Sequence, residues 1–223
     1  MIRAIRSYFV FSEWRYRIIL FVVIPISFIG IDYLLSQILT AGNIKDGVEI
    51  AIMVIGASIL VMAEMFGEYW FLAGINSRKG KNMEYLKTSN CFLEIMKSCL
   101  IVDWMRRWIT ISVVFIITGD FDMKSAEGVL KWGKIFAGIC LTVAIAQIGV
   151  YLARYMTLFH FVFLIAYISG SITVFAMILV MNYPLVGGIV SGVLAVGSGM
   201  FSVWHTLKRV KGGYYDKRYQ VGI

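Results

Sequence analysis

Glu64 and Glu68 stand four residues apart inside an apolar run, in the stretch AEMFGEYWFLAGINSRKGKNMEYLKTSN that covers residues 63–90. Helical spacing puts both carboxylates on one face. An ionised carboxylate in hydrocarbon must protonate, pair or find water. At a rise of about 1.5 Å per residue, Glu68 lies roughly 9 Å and Glu64 roughly 15 Å from a helix end at Gly74. Glu68 can therefore reach toward Arg78 or the membrane surface. Glu64 is nearer the centre, where an acid costs about 2.5–3.5 kcal/mol. The sequence offers few intramembrane bases, so water or a neighbouring subunit is the expected relief for Glu64. Asp32, in the preceding apolar run, is a third candidate of the same kind. Two readings stand for these acids: pairing between helices, or a polar patch on a translocation path or subunit seam.

Other chemistries have thinner support. Three cysteines, Cys91, Cys99 and Cys140, make neither a disulfide framework nor a metal spacing. His160 and His205 read as interfacial residues. No HExxH motif is present, and Glu64 and Glu68 are not adjacent as a prenyl-protease-like site requires. The string GINSRKGKN has the look of a phosphate-binding loop. The required pattern is G-x-x-x-x-G-K-[ST] after a strand. Here five residues separate Gly74 from Gly80, Asn82 replaces the hydroxyl residue, and an apolar helix precedes it. No nucleotide site, catalytic residue, metal ligand or bound cofactor is therefore assigned to this chain.

The elements that must position the acids are set by composition. Of 223 residues, 60% are hydrophobic and 15% charged, and the mean hydropathy is +0.81. A soluble domain is typically about 45–50% apolar and about 25% charged. The excess predicts an all-α integral membrane protein. Six segments approach the roughly 20 residues that a spanning helix needs: 18–38, 50–74, 99–118, 134–153, 157–181 and 184–206. The third starts at 99 or nearer Trp108, because Asp103, Arg106 and Arg107 intrude. Pro25 predicts a kink in the first span. Pro184 suits the first turn of the last, where its missing N–H costs nothing.

The net charge of +8 is explained by where the bases fall. The N-terminal arm, the connection from Asn76 to Arg107, Arg154 and the tail hold seventeen of the 21 Lys and Arg residues; the opposite side holds Lys45, Lys124, Lys131 and Lys134. Basic residues are retained in cytoplasmic loops. Both termini and the second connection are therefore expected in the cytoplasm of a multi-pass plasma-membrane protein. Nucleic acid is not an expected partner.

Two amphipathic stretches flank the spans. In residues 1–17, Ile2, Ile5, Phe9 and Tyr16 share a face opposite Arg3, Arg6, Glu13 and Arg17, which predicts an arm lying in the cytoplasmic leaflet. In the second connection, Met83, Tyr85, Leu86, Phe92, Ile95, Met96 and Cys99 repeat at spacings near three and four, with Glu84, Lys87, Thr88, Glu94 and Lys97 opposite. This stretch is either a helix in the headgroups or a docking helix for a cytoplasmic partner.

An amphipathic arm, six spans, short external connections and the stretch GINSRKGKNMEYLKTSNCFLEIMKSCLIVDWMRR together resemble the permease subunits of ABC-2-type ABC transporters. The resemblance implies one transmembrane permease domain over 1–223, with an interfacial arm at 1–17, a cytoplasmic coupling segment at 76–98 and a tail at 207–223. It implies that Ser77, Arg78, Lys79 and Lys81, with Met83, Tyr85, Leu86 and Phe92 of the coupling helix, contact a separate ATP-binding subunit. ATP and magnesium would then sit on that partner, and this chain would not be an enzyme. The other implied partners are a second permease copy or paralogue and membrane lipids. The implied setting is a bacterial plasma membrane, and the implied cargo is a peptide, a lipid-like molecule or a drug. The connection MNYPLVG is too short for the external re-entrant hairpin of some members, which disfavours a bulky polymer as cargo. A membrane immunity or sensor-binding protein, and an intramembrane enzyme, are the competing classes.

Overall fold

The computed structural model describes residues 55–67, 91–118, 126–154 and 183–211, together with positions 18, 22, 23, 25, 26, 29, 30, 33 and 37 of the first apolar run. The described elements are helical, with no strand among the described residues. Four helices are named in chain order: α1, Ile55–Gly67; α2, Cys91–Thr118; α3, Ala126–Ala153; and α4, Pro184–Lys211. Pro184 opens α4 as expected. A π-helical turn at Val22 and Val23 stands just before Pro25, where the proline withholds a backbone donor.

Six spans were expected, and two described helices are long and apolar enough to cross a membrane. These are Trp132–Leu152, with mean hydropathy 2.1, and Pro184–Lys208, with mean hydropathy 1.7. They correspond to the fourth and sixth expected spans. The second is represented by the short apolar helix Ile55–Gly67. The fifth, 157–181, lies outside the described residues, as do the 1–17 arm and most of the 76–98 segment.

α2 is one unbroken helix of 28 residues that joins the end of the expected coupling segment to the expected third span. Its buried positions are Met96, Cys99, Leu100, Asp103, Arg106, Arg107, Ile111, Val114 and Phe115, a stripe that recurs at spacings of three and four. Its outer face changes character along its length. Glu94 and Lys97 are exposed in the first turns; Ile101, Met105, Ile109, Val113, Ile116 and Ile117 are exposed beyond them.

α3 is the central helix. Its apolar window is 78% buried, against 28% for α4, and a helix apolar all round belongs inside. Every residue from Ala137 to Gln147 is buried. α4 packs mainly on α3 and also meets α2. The buried positions of α4 are Gly188, Ser191, Ala195, Gly199, Ser202 and Thr206, a row of small residues that admits close backbone approach. Matched positions rise together along the two helices. A β-carbon on Gly133 would lie 3.9 Å from Pro184, one on Gly188 3.5 Å from Ala137, and one on Gly192 3.9 Å from Cys140. Tyr151 meets His205, and Arg154 meets Ser202 and Thr206. α3 and α4 are therefore parallel. The shared core adds Leu60, Val61 and Met65 of α1 to Ile111, Val114 and Phe115 of α2.

Candidate functional site

Asp103, Arg106 and Arg107 follow one another at i, i+3 and i+4 on α2, so all three turn to the same side. That side faces α1 and α3. Arg106 grips the Glu64 carboxylate with both terminal nitrogens: Nη1 donates to Oε1 at 2.7 Å, and Nη2 pairs with Oε2. Its Nε donates to Asp103 Oδ1 at 3.1 Å. Arg107 donates from Nε to Glu64 Oε2 at 3.1 Å and from Nη1 to Gln147 Oε1 of α3 at 3.0 Å, and its Nη2 pairs with Asp103 Oδ2. Glu64 and Asp103 are thus each shared between two guanidiniums, in the planar fork geometry that arginine provides.

The cluster is dry. Arg107 is fully buried, and Glu64, Asp103, Arg106 and Gln147 are buried with it. Two carboxylates and two guanidiniums sum to zero formal charge. The cluster also extends to α4. Arg154, one residue past α3, is close enough to act electrostatically on Asp103. Its Nη1 donates to Ser202 at 3.1 Å and to Thr206 at 3.2 Å. Polar contacts therefore tie α1, α2 and α3 together at the cluster, and a second set ties the end of α3 to α4 through Arg154.

Of the two readings held for Glu64, the described residues show pairing between helices, in place of the water or neighbouring subunit expected as its relief. Among the described residues the acid meets two arginines from α2, neither of which the sequence reading treated as available. Both were expected among the basic residues of the second connection, with the third span starting at 99 or nearer Trp108. They are buried among helices, and so is Arg154. Without these three, fourteen basic residues remain on the expected inner side against four, so the asymmetry stands. The signal for the cluster was the spacing Asp103, Arg106, Arg107 within an otherwise apolar stretch from Cys99 to Ile117. Gln147 and Arg154 carried no signal of their own.

The other expected site residues divide simply. Phe92 lies in the first turn of α2 and is half-buried. Glu68, Asp32, Ser77, Arg78, Lys79, Lys81, Met83, Tyr85 and Leu86 lie outside the described residues. His205 sits on α4 within reach of the Tyr151 hydroxyl; His160 lies outside the described residues. No group of three His, Cys, Asp or Glu side chains suited to a metal ion occurs among the described residues.

Chemically, the cluster is a fastener. Arginine does not release its proton in proteins, and each carboxylate is occupied by guanidinium donors. The arrangement holds α1, α2 and α3 in one relative position, and it can be exchanged for another only by breaking several charged contacts together. No protein family, curated protein or solved structure matches this chain.

Proposed function

We propose that the chain is the transmembrane subunit of an ATP-driven exporter. It would pair with a second permease subunit and with separate ATP-binding subunits, and move a peptide, lipid-like or drug-like substrate across a bacterial plasma membrane. The observation that carries this reading is the continuity of α2. A single helix runs from Cys91, inside the expected coupling segment, through the charge cluster and into an aliphatic stretch. A push applied by a partner near residues 76–98 would reach Asp103, Arg106 and Arg107 along a rigid rod. From there it would pass to α1 through Glu64 and to α3 through Gln147. Interfaces fastened at discrete contacts switch between arrangements instead of deforming smoothly.

Two further features support a multi-pass membrane setting. The exposed face of α2 turns from charged to aliphatic at Ile101, so its charges point inward and do not oppose a span that begins near residue 99. The parallel packing of α3 and α4 requires the chain to travel back between them, an odd number of crossings. The apolar stretch 157–181 is long enough for one such return at about 1.5 Å per residue. The fourth and sixth spans of the proposed topology then run in the same direction.

In this mechanism the partner performs ATP hydrolysis, and Glu64 serves the relay between helices instead of contacting cargo. The test combines association with coupling. The chain is expressed with candidate ATP-binding proteins, and the purified complex is assayed for ATPase activity and export in lipid. Lys97, exposed on α2, is then changed to proline, which removes a helix bond between the docking segment and the cluster. Retained association with lost transport-coupled ATPase activity is the expected outcome. If no ATP-binding partner associates with the intact chain, the exporter reading falls and a membrane immunity or sensor-binding protein takes its place.

A further inference from the structure

We infer that the last turns of α4 form a binding site for an anionic phospholipid, with the headgroup phosphate at Lys208 and an acyl chain along the adjoining apolar stripe. The inference rests on the membrane reading above. Along one side of α4, Leu185, Ile189, Val193, Val196 and Met200 are exposed large aliphatics. The stripe runs without a charged residue into Phe201 and Trp204, and there it ends. α4 contains no acid, and its only charged residues, Lys208, Arg209 and Lys211, fall in its final turns. The charge change therefore coincides with the end of the 25-residue apolar segment, where a spanning helix meets the headgroups.

The end of the stripe is built, not merely basic. Lys208 Nζ stands 5.2 Å from the centroid of the Trp204 ring, an arrangement that holds the ammonium over the indole face. Trp204 is 57% exposed, and it packs beside Phe201 and His205. His205 stacks on Phe201 at 5.6 Å with an interplanar angle of 18°. The Tyr151 hydroxyl and His205 Nδ1, 3.0 Å apart, tie this aromatic group to α3. The buried Arg154 is committed to Ser202 and Thr206, so its charge is not presented at the surface beside the exposed Lys208. A ligand carrying both a phosphate and a hydrocarbon tail matches the two halves of this surface. An acidic soluble protein would match only the basic half.

The test is retention of lipid by the purified full chain in detergent, read by native mass spectrometry with phosphatidylglycerol and phosphatidylcholine supplied in equal amounts. A lysine near an anionic surface is worth about 1 kcal/mol, which is about fivefold in retention. Wild type should favour phosphatidylglycerol by about that factor. Lys208→Gln should bring the ratio close to one, Lys208→Arg should keep it, and Lys134→Gln, near the other end of α3, should leave it unchanged. Excess inorganic phosphate should not displace the lipid. Equal retention of the two lipids by wild type, an unchanged ratio in Lys208→Gln, or displacement by phosphate each overturns the site. Alkaline carbonate treatment of membranes separates the two failures. Release of the chain defeats the membrane reading itself, whereas a retained chain without lipid preference defeats only this site.

Discussion

Changing Glu64 to glutamine removes one negative charge from a group of four and leaves almost the same shape. The side-chain amide can still accept from one guanidinium through its oxygen. Its nitrogen is a donor and turns toward arginine donors, so the two-pronged contact with Arg106 and the contact with Arg107 cannot both survive. Asp103 is then the remaining carboxylate of the cluster for two arginines that stay buried. Breaking a buried ion pair from one side typically costs about 3–5 kcal/mol, because the other charge is left uncompensated. At the lower figure the unfolding equilibrium shifts by somewhat more than a hundredfold. For a chain of this length about 1 kcal/mol corresponds to roughly 2–4 °C in melting temperature, so a fall of roughly 6–12 °C is expected in a detergent-solubilised thermal melt. A second variant isolates the reason. Replacing Glu64, Asp103, Arg106 and Arg107 together with leucine or methionine removes every charge and leaves none stranded, and such replacements are often neutral or stabilising. The fourfold variant should therefore melt at or above wild type. A relay that depends on switching these contacts would nevertheless lose transport-coupled ATPase activity. A Glu64→Gln protein melting within about 2 °C of wild type would refute the burial argument, and a fourfold variant with full transport would remove the cluster from the mechanism.

Four further outcomes are expected. Single cysteines at Lys81 and Lys124, in a background without native cysteines, should react on intact cells with an impermeant thiol reagent only at position 124; the reverse pattern would invert the proposed topology. Reversing Arg78 and Lys79 to glutamate should lower recovery of an ATP-binding partner while membrane insertion is unchanged, as measured by co-purification. Gly199→Ala should lower the melting temperature, because its β-carbon would run into the Trp104 ring and overpacking typically costs about 1–3 kcal/mol. Gly197→Ala, with open space around it, should be neutral or stabilising through helix propensity.

Several elements were legible in the sequence, and the failures share a cause. The spacing of Phe92, Ile95, Met96 and Cys99 announced a helix, and those residues open α2. Pro184 announced the start of α4 because proline suits a first helical turn. The central segment 134–153 was apolar enough to be read as buried or spanning, though α3 starts eight residues earlier, at Ala126. Asp103, Arg106 and Arg107 were misread because hydropathy sums charge along the chain and takes no account of the side to which it points. Their spacing of three and four put them on one face, but the face acquires meaning only with its partner. That partner, Glu64, lies 42 residues before Arg106, beyond the reach of any local pattern. Gln147 lies 40 residues after Arg107, equally out of reach, and has an ordinary neighbourhood.

The division of charge between α1 and α2 also bears on how the chain is made. Glu64 precedes Arg106 by 42 residues. At synthesis rates of about 5–20 residues per second, that is roughly 2–8 s during which the acid waits without its arginines. A lone α2 would bring a net positive charge into hydrocarbon, and α1 a negative one, each at a cost of a few kcal/mol. Leaving the insertion machinery as a joined hairpin relieves both at once. Under the membrane reading, these two helices enter the bilayer together, and α3 and α4 assemble on a pair that is already neutral.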